Sequence, residues 1–140
     1  MEYSRFQISQ PQLLEVTYII NEDFNNSDNA DNIKLEANSV TRVEMLTDDT
    51  GAKVIFTLKI FDQEKLSEVP FFMQVSMKGF FRWDESMDEE IYKKLLRTNA
   101  PAILLSYIRP FVSQLTSASG YPPLILPLID FSSNEILEIT

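Results

Sequence analysis

The side chains that most often perform catalysis near neutral pH are missing from this sequence. Its 140 residues include no histidine and no cysteine, which removes the usual imidazole base, the cysteine nucleophile and the common zinc ligands. A serine–lysine arrangement stays open in principle, but no motif supports one. We therefore predict that the chain is not an enzyme and that it uses no metal or other cofactor.

The acidic and glycine residues form no recognisable binding motif either. Asp28, Asp31, Asp48 and Asp49 lack the ordered spacing and central glycine of a calcium-binding loop. The 3 glycines lie far apart, so no glycine-rich loop is available to hold a phosphate. Carboxylates are abundant, but no spacing marks an acid–base pair.

Charge and length restrict the partners and the compartment. With 21 acidic and 12 basic residues the net charge is -9, which argues against nucleic acid or an anionic membrane as partner. A single domain over 1–140 is the simplest organisation at this length. The N-terminus lacks the order of a signal peptide and no apolar run could span a bilayer, so a cytoplasmic location is expected.

What the sequence offers in place of reactive groups is apolar surface. It contains 10 phenylalanines, 5 tyrosines and 5 methionines. Aromatic residues stand on both faces of a predicted strand over 69–81, so the second face must also be covered or used for binding. Burial of both faces inside an oligomer is the plainer interpretation of the two.

The elements that position this surface are four strands and two helices. Alternation with a period of two and β-branched residues predict strands over 15–20, 33–46, 53–61 and 69–81, with a loop over 21–32. Short links between strands predict an antiparallel meander, and helical spacing predicts a helix over 84–97. The fold class is α+β, with a four-stranded antiparallel sheet and helices on one face.

A second helix over 101–119 is the element around which the chain is organised. Pro101 suits its first turn, and Pro110 is expected to kink it. Its apolar face can lie on the chain's own sheet or be held between that sheet and a second subunit; the residues of that face are Leu104, Tyr107, Ile108, Phe111 and Leu115. The proline-rich stretch over 121–131 must run extended over apolar surface, and 134–139 is expected to form a short closing helix.

Four stretches of the sequence resemble the SecB family of export chaperones. They are Phe6-Gln7-Ile8, Gly79-Phe80-Phe81, the helix motif Pro101-x-Ile103-Leu104-x-x-Tyr107-x-Arg109, and the later segment Tyr121-Pro122-x-Leu124-x-Leu126 ending in Asp130-Phe131. The resemblance covers about residues 6 to 131. It implies a SecB-like sheet with two helices on one side, assembled as a dimer or as a dimer of dimers.

The resemblance also implies a function. SecB-like proteins hold unfolded polypeptides in apolar grooves without ATP and pass them to the SecA translocase motor. Carried over residue by residue, the client-binding groove comprises Phe72, Phe80, Phe81, Trp83, Leu124, Leu126, Leu128 and Ile129. Glu15 stands where a first-strand acid helps to dock the motor, whereas Ile19 and Gln74 replace further acids.

Two other functions fit the same residues. One is an oligomeric adaptor that binds a single protein partner, such as an antitoxin-type client, without general chaperone activity. The other is a carrier that holds a small hydrophobic ligand in an aromatic pocket. The adaptor predicts a single co-purifying protein and little affinity for unfolded chains, whereas the carrier predicts a closed cavity that binds a hydrophobic dye tightly.

Overall fold

In the computed structural model, residues 1–24 and 34–138 are described. The strands are β1 (Phe6–Ile8), β2 (Gln12–Ile20), β3 (Ala37–Met45), β4 (Gly51–Ile60), β5 (Phe71–Trp83) and β6 (Ile136–Glu138). A short 3₁₀ helix covers Gln63–Glu68, and one long helix, α1, covers Glu89–Ala118. The predicted loop over 21–32 lies mostly outside the described residues.

The strands form one sheet in the order β1-β5-β4-β3-β6, and β2 also pairs with β5. β3, β4 and β5 follow one another as antiparallel hairpins, as predicted. The predicted meander is wrong at its start, because β2 lies antiparallel beside β5 and not beside β3. The first long strand thus returns to the last, which is a Greek-key order.

The two faces of the sheet differ sharply. The inner face lies under α1 and carries the largest fully buried side chains, which include Val54, Phe56, Leu58, Ile60, Met73, Val75 and Phe81. The outer face carries the alternate residues of the same strands, and several of these are charged. Because side chains alternate along a strand, each strand contributes to both faces.

At Gly79 the inner face has no side chain. A Cβ added there would lie 3.0 Å from Ile8 Cδ1 and 3.2 Å from Leu104 Cδ2. The glycine therefore allows a leucine of α1 to approach the backbone of β5 closely.

The two predicted helices are one continuous helix that runs through Pro101 and Pro110. A proline at position 101 cannot donate to the carbonyl of Arg97, four residues earlier. Asn134 supplies the missing donor, since its side-chain amide lies 3.0 Å from the Arg97 carbonyl and 3.1 Å from Thr41 Oγ1. A residue from the far end of the chain thus completes the helix at its proline.

The closing stretch is a strand and not the predicted short helix. β6 pairs in parallel with β3, with Thr41 opposite Ile136 and Val43 opposite Glu138. Ile136 packs against the core while Leu137 is exposed. The unpaired edge of β3 offers hydrogen-bond partners that an isolated turn of helix would not have.

Candidate functional site

After α1 the chain turns at Gly120 (φ 84°) and runs back along the helix as an extended segment over residues 121–131. Arg109 of α1 holds the middle of this segment. Its Nη2 and Nε donate to the Leu126 carbonyl at 2.6 and 3.0 Å. Hydrogen bonds from a charged donor are stronger than those between neutral groups, so this contact fixes the segment firmly.

Thr116 and Tyr121 hold the beginning of the segment. The buried hydroxyl of Thr116 donates to the Val112 carbonyl at 3.0 Å and accepts from the Leu124 N–H at 2.8 Å. The Tyr121 hydroxyl donates to the Pro70 carbonyl at 3.2 Å, just before β5. The first contact satisfies a backbone N–H of a segment that has no regular secondary structure, and the second ties the segment to the start of β5.

The segment points apolar side chains in both directions. Leu126 and Phe131 are buried on the inner face, and the Phe131 ring packs edge-on against Phe56 at 5.7 Å. Ile125 and Leu128 point outward and are 74% and 86% exposed. Two large aliphatic side chains are therefore displayed to solvent on a backbone that Arg109 and Thr116 hold in place.

The strand side of the predicted groove divides between the two faces of the sheet. Phe81 and Trp83 lie in the core and are not open to a client: Phe81 stacks on Phe6 at 5.3 Å, and Trp83 stacks on Tyr92 at 4.6 Å. This corrects their assignment to an open groove. Both residues share the alternation of the inner-face residues of β5, whose continuation to position 83 would have placed them inside.

Phe72 and Phe80 lie on the outer face. Phe80 is 36% exposed, with Lys78 Nζ 5.4 Å from its ring centroid. Phe72 is buried at the edge of a hollow of about 490 Å³ that has a mixed lining; its other members include Val40, Phe61, Lys59, Glu36, Asp62 and Glu64. The eight predicted groove residues therefore do not form one surface.

The segment side of the groove is also divided. Leu126 is a core residue, which corrects its assignment, whereas Leu128 is fully available. Leu124 and Ile129 are half-buried against the core. Ile125, which sequence reasoning left out, is the second exposed aliphatic residue of the segment. It alternates with Leu124 and Leu126, which face the core, and this alternation ends at Pro127, before the exposed Leu128.

The apolar face predicted for the helix packs mostly on the chain's own sheet. Leu104 and Ile108 are fully buried, and Phe111 and Leu115 are half-buried against the same core. Tyr107 alone of the five predicted interface residues is exposed, at 49%. Leu104 and Ile108 are therefore corrected from interface to core positions, since the sheet already covers them.

A hydrogen-bonded pair ties β2 to the end of α1. The Tyr18 hydroxyl lies 2.8 Å from Ser119 Oγ, and Ser119 Oγ lies 2.8 Å from the Leu115 carbonyl oxygen. Burial raises the pKa of Tyr18 above its ordinary value, opposed by the hydrogen bond to Ser119. On the extended segment, the backbone N–H of Ser132 lowers the pKa of Asp130 and keeps that carboxylate charged.

Over residues 1–24 and 34–138, no three histidine, cysteine, aspartate or glutamate side chains come together as a metal site. In the same part of the chain, no helix is both long enough and apolar enough to cross a membrane.

Comparison with known proteins gives a consistent result. The family model described as preprotein translocase subunit SecB matches residues 18–134. The protein-export protein SecB of Anaplasma phagocytophilum (strain HZ) is 35% identical over 79 residues, which cover 54% of this chain and 50% of that protein. SecB of Anaplasma marginale (strain Florida) is 31% identical over 78 residues, covering 55% and 45%. The chain spans about half the length of the curated relatives that it matches.

Among solved structures, the chain resembles the SecB-like chaperone Rv1957 of Mycobacterium tuberculosis, determined in complex with a ChAD peptide from the HigA1 antitoxin. The TM-score is 0.67 at 19% sequence identity, and the match covers 90% of this chain and 88% of that one. At this identity the similarity establishes a shared fold, and the α+β class predicted from the sequence is confirmed.

Proposed function

The chain belongs to the SecB family, and on that basis we propose that it is a chaperone that binds non-native polypeptide without using ATP, in a role connected with protein export. The observation that carries this proposal is the pair of exposed aliphatic residues, Ile125 and Leu128, on the extended segment. An unfolded client exposes apolar side chains, and covering them against Ile125 and Leu128 removes apolar surface of both molecules from water.

The fixed backbone of the extended segment supports this use. Arg109 and Thr116 hold the segment on both sides of Ile125 before any client arrives. A surface that is already ordered loses little conformational entropy on binding, which leaves more of the contact energy for affinity. Contact through aliphatic side chains also requires no particular client sequence.

Suppression of aggregation tests the proposal. The protein should reduce the light scattering of reduced α-lactalbumin, and the double variant Ile125→Ser/Leu128→Ser should bind this client about tenfold more weakly, since two apolar contacts are lost. The matched control is Ile91→Ser, which removes an equally large, exposed side chain from the first turns of α1. This control should behave like the wild type.

Four results would contradict the proposal. The first is no suppression of aggregation by the wild type, and the second is equal loss of client binding in the control. The third is binding of one folded partner without affinity for denatured clients, which would identify the adaptor. The fourth is tight binding of a hydrophobic dye that a client peptide does not displace, which would identify the small-ligand carrier.

Motor docking and self-association extend the proposal. Glu15 is exposed on the outer face and accepts a hydrogen bond from Gln74, so a SecA-type motor would replace Gln74 as its partner.

Leu13 and Leu14 are exposed on β2, which pairs only with β5 within the described part of the chain. A free edge with apolar side chains favours association with a second copy, and sedimentation equilibrium would measure the resulting mass.

A further inference from the structure

The outward positions of β3, β4 and β5 carry more basic than acidic side chains, although the chain as a whole is acidic. They hold 5 of the 12 basic residues and one acid, Glu44, in a chain whose net charge is -9. By register the basic residues are Arg42, Lys53, Lys59, Lys78 and Arg82, all on outward positions of β3, β4 and β5.

Four of the five basic residues form one patch at the end of the face nearest the β3–β4 turn. Arg42, Ile55 and Lys78 lie opposite one another on three adjacent strands. In the next row, Glu44 lies opposite Lys53, and Lys53 lies opposite Phe80. We name this outer patch by its members Arg42, Ile55, Lys78, Lys53, Phe80 and Arg82.

Acidic groups neutralise only part of the outer patch. Lys53 pairs with Glu44 at 2.9 Å, and Arg82 pairs with Asp48 at 2.8 Å. Within the described ranges neither Arg42 nor Lys78 has an ion-pair partner. The acids Glu36, Asp62 and Glu64 surround the hollow near Lys59, at the other end of the face, and Glu15 is bonded to Gln74.

The two free cations stand on either side of an apolar centre. Ile55 lies between Arg42 and Lys78, and Phe80 extends this centre beneath Lys78. Because neighbouring strands are about 4.8 Å apart, the backbones that carry the two cations are about 10 Å apart. An occupant that matches this arrangement has acidic side chains on both sides of an apolar one.

We propose that the outer patch binds an acidic polypeptide segment of a partner protein, in which acidic side chains flank aliphatic or aromatic ones. Arg42 and Lys78 pair with the carboxylates, and Ile55 and Phe80 contact the apolar side chain between them. A polypeptide fits better than nucleic acid, because the acidic remainder of the chain repels a dense polyanion. The proposal concerns a different surface from Ile125 and Leu128 and does not depend on chaperone activity.

The test is fluorescence anisotropy with two labelled synthetic peptides. One repeats Glu-Val-Asp-Ile, and the other has glutamine and asparagine in place of the acids. The wild type should bind the acidic peptide and not the neutral one, and added salt should weaken the binding. Arg42→Glu/Lys78→Glu should weaken it about tenfold or more, because two exposed ion pairs are lost and repulsion replaces them.

The matched control is Lys65→Glu/Lys94→Glu, which changes the net charge equally at exposed positions away from the patch. It should bind the acidic peptide within about twofold of the wild type, since screening limits the effect of distant charges. Equal loss in this control would overturn the proposal, as would equal affinity for the neutral peptide.

Two other ligands of the outer patch would each give a different experimental result, and either result would overturn the proposal. Tighter binding of single-stranded oligothymidine than of the acidic peptide would assign the patch to nucleic acid. Wild-type self-association that Arg42→Glu/Lys78→Glu abolishes, without peptide binding, would assign it to a second copy of the chain. Suppression of aggregation by the same variants should remain at the wild-type level, so the two proposals fail separately.

Discussion

Phe80 and Phe81 are neighbours in β5 and have the same side chain, but they lie in opposite environments. Phe81 is fully buried under α1, where it stacks on Phe6. Phe80 is 36% exposed on the outer face, beneath the Lys78 ammonium group. One peptide bond therefore separates a residue that holds the fold together from a residue that is available for contact.

The difference shows that burial here is decided by what covers each face and not by residue type. α1 and the extended segment cover the inner face, and their apolar residues pack into the same core as those of the sheet. α1 does not extend over the outer face, where Phe80 stands beneath the Lys78 ammonium group. Composition alone, with its 10 phenylalanines, does not distinguish these two uses.

The largest expected effect is on the inner face. Phe81→Ala should lower the free energy of unfolding by about 3–5 kcal/mol, because it removes a fully buried ring and leaves a cavity. Phe80→Ala should cost about 1 kcal/mol or less, because its ring is partly hydrated already. Urea unfolding followed by far-UV circular dichroism measures both, and similar losses would abolish the distinction between the two faces.

A smaller effect is expected where the extended segment meets α1. Arg109→Met removes both donors to the Leu126 carbonyl and should cost about 1–3 kcal/mol. The loss should be local, so limited proteolysis should cleave within residues 121–131 before the sheet unfolds. Lys94→Met is the control, since it removes an exposed cation of the same helix; equal protection of the segment in both variants would show that Arg109 does not hold it.

The smallest effect concerns Tyr18 and its pH dependence. Its pKa is raised from 10.0 chiefly by burial, so the folded chain holds the phenolic proton more tightly than the unfolded chain does. The contribution of this proton to stability is present below pH 10 and is lost as the pH rises through the raised pKa. The stability difference between the wild type and Tyr18→Phe should therefore shrink above pH 10 in urea titrations; a difference independent of pH would contradict this.

Much of the fold follows from local sequence patterns. Alternation predicted strands at 53–61 and 69–81, and the structure has β4 at Gly51–Ile60 and β5 at Phe71–Trp83. The helical pattern and the extended proline-rich segment were also predicted. These features depend on neighbouring residues, whose spacing is visible in the sequence.

What could not be predicted depends on residues far apart in the chain. Pro101 was expected to begin a helix, because a proline inside a helix leaves the carbonyl four residues earlier without a donor. No residue near Pro101 indicates that Asn134 donates to that carbonyl, which belongs to Arg97. The place of β2 beside β5 and the conversion of the last stretch into β6 depend likewise on distant partners. The candidate site was only partly predicted for the same reason, since Leu126 and Leu128 look alike until Arg109 fixes which side faces the core.

The position of Asn134 has a consequence for the order in which the protein is made. During translation, Thr41 and Arg97 are synthesised long before Asn134, whose side chain bridges them. Until then α1 lacks a donor at Pro101, and the edge of β3 is open to the strands of neighbouring nascent chains. Closure of the molecule at this corner must therefore wait until the final stretch of the described chain has been synthesised.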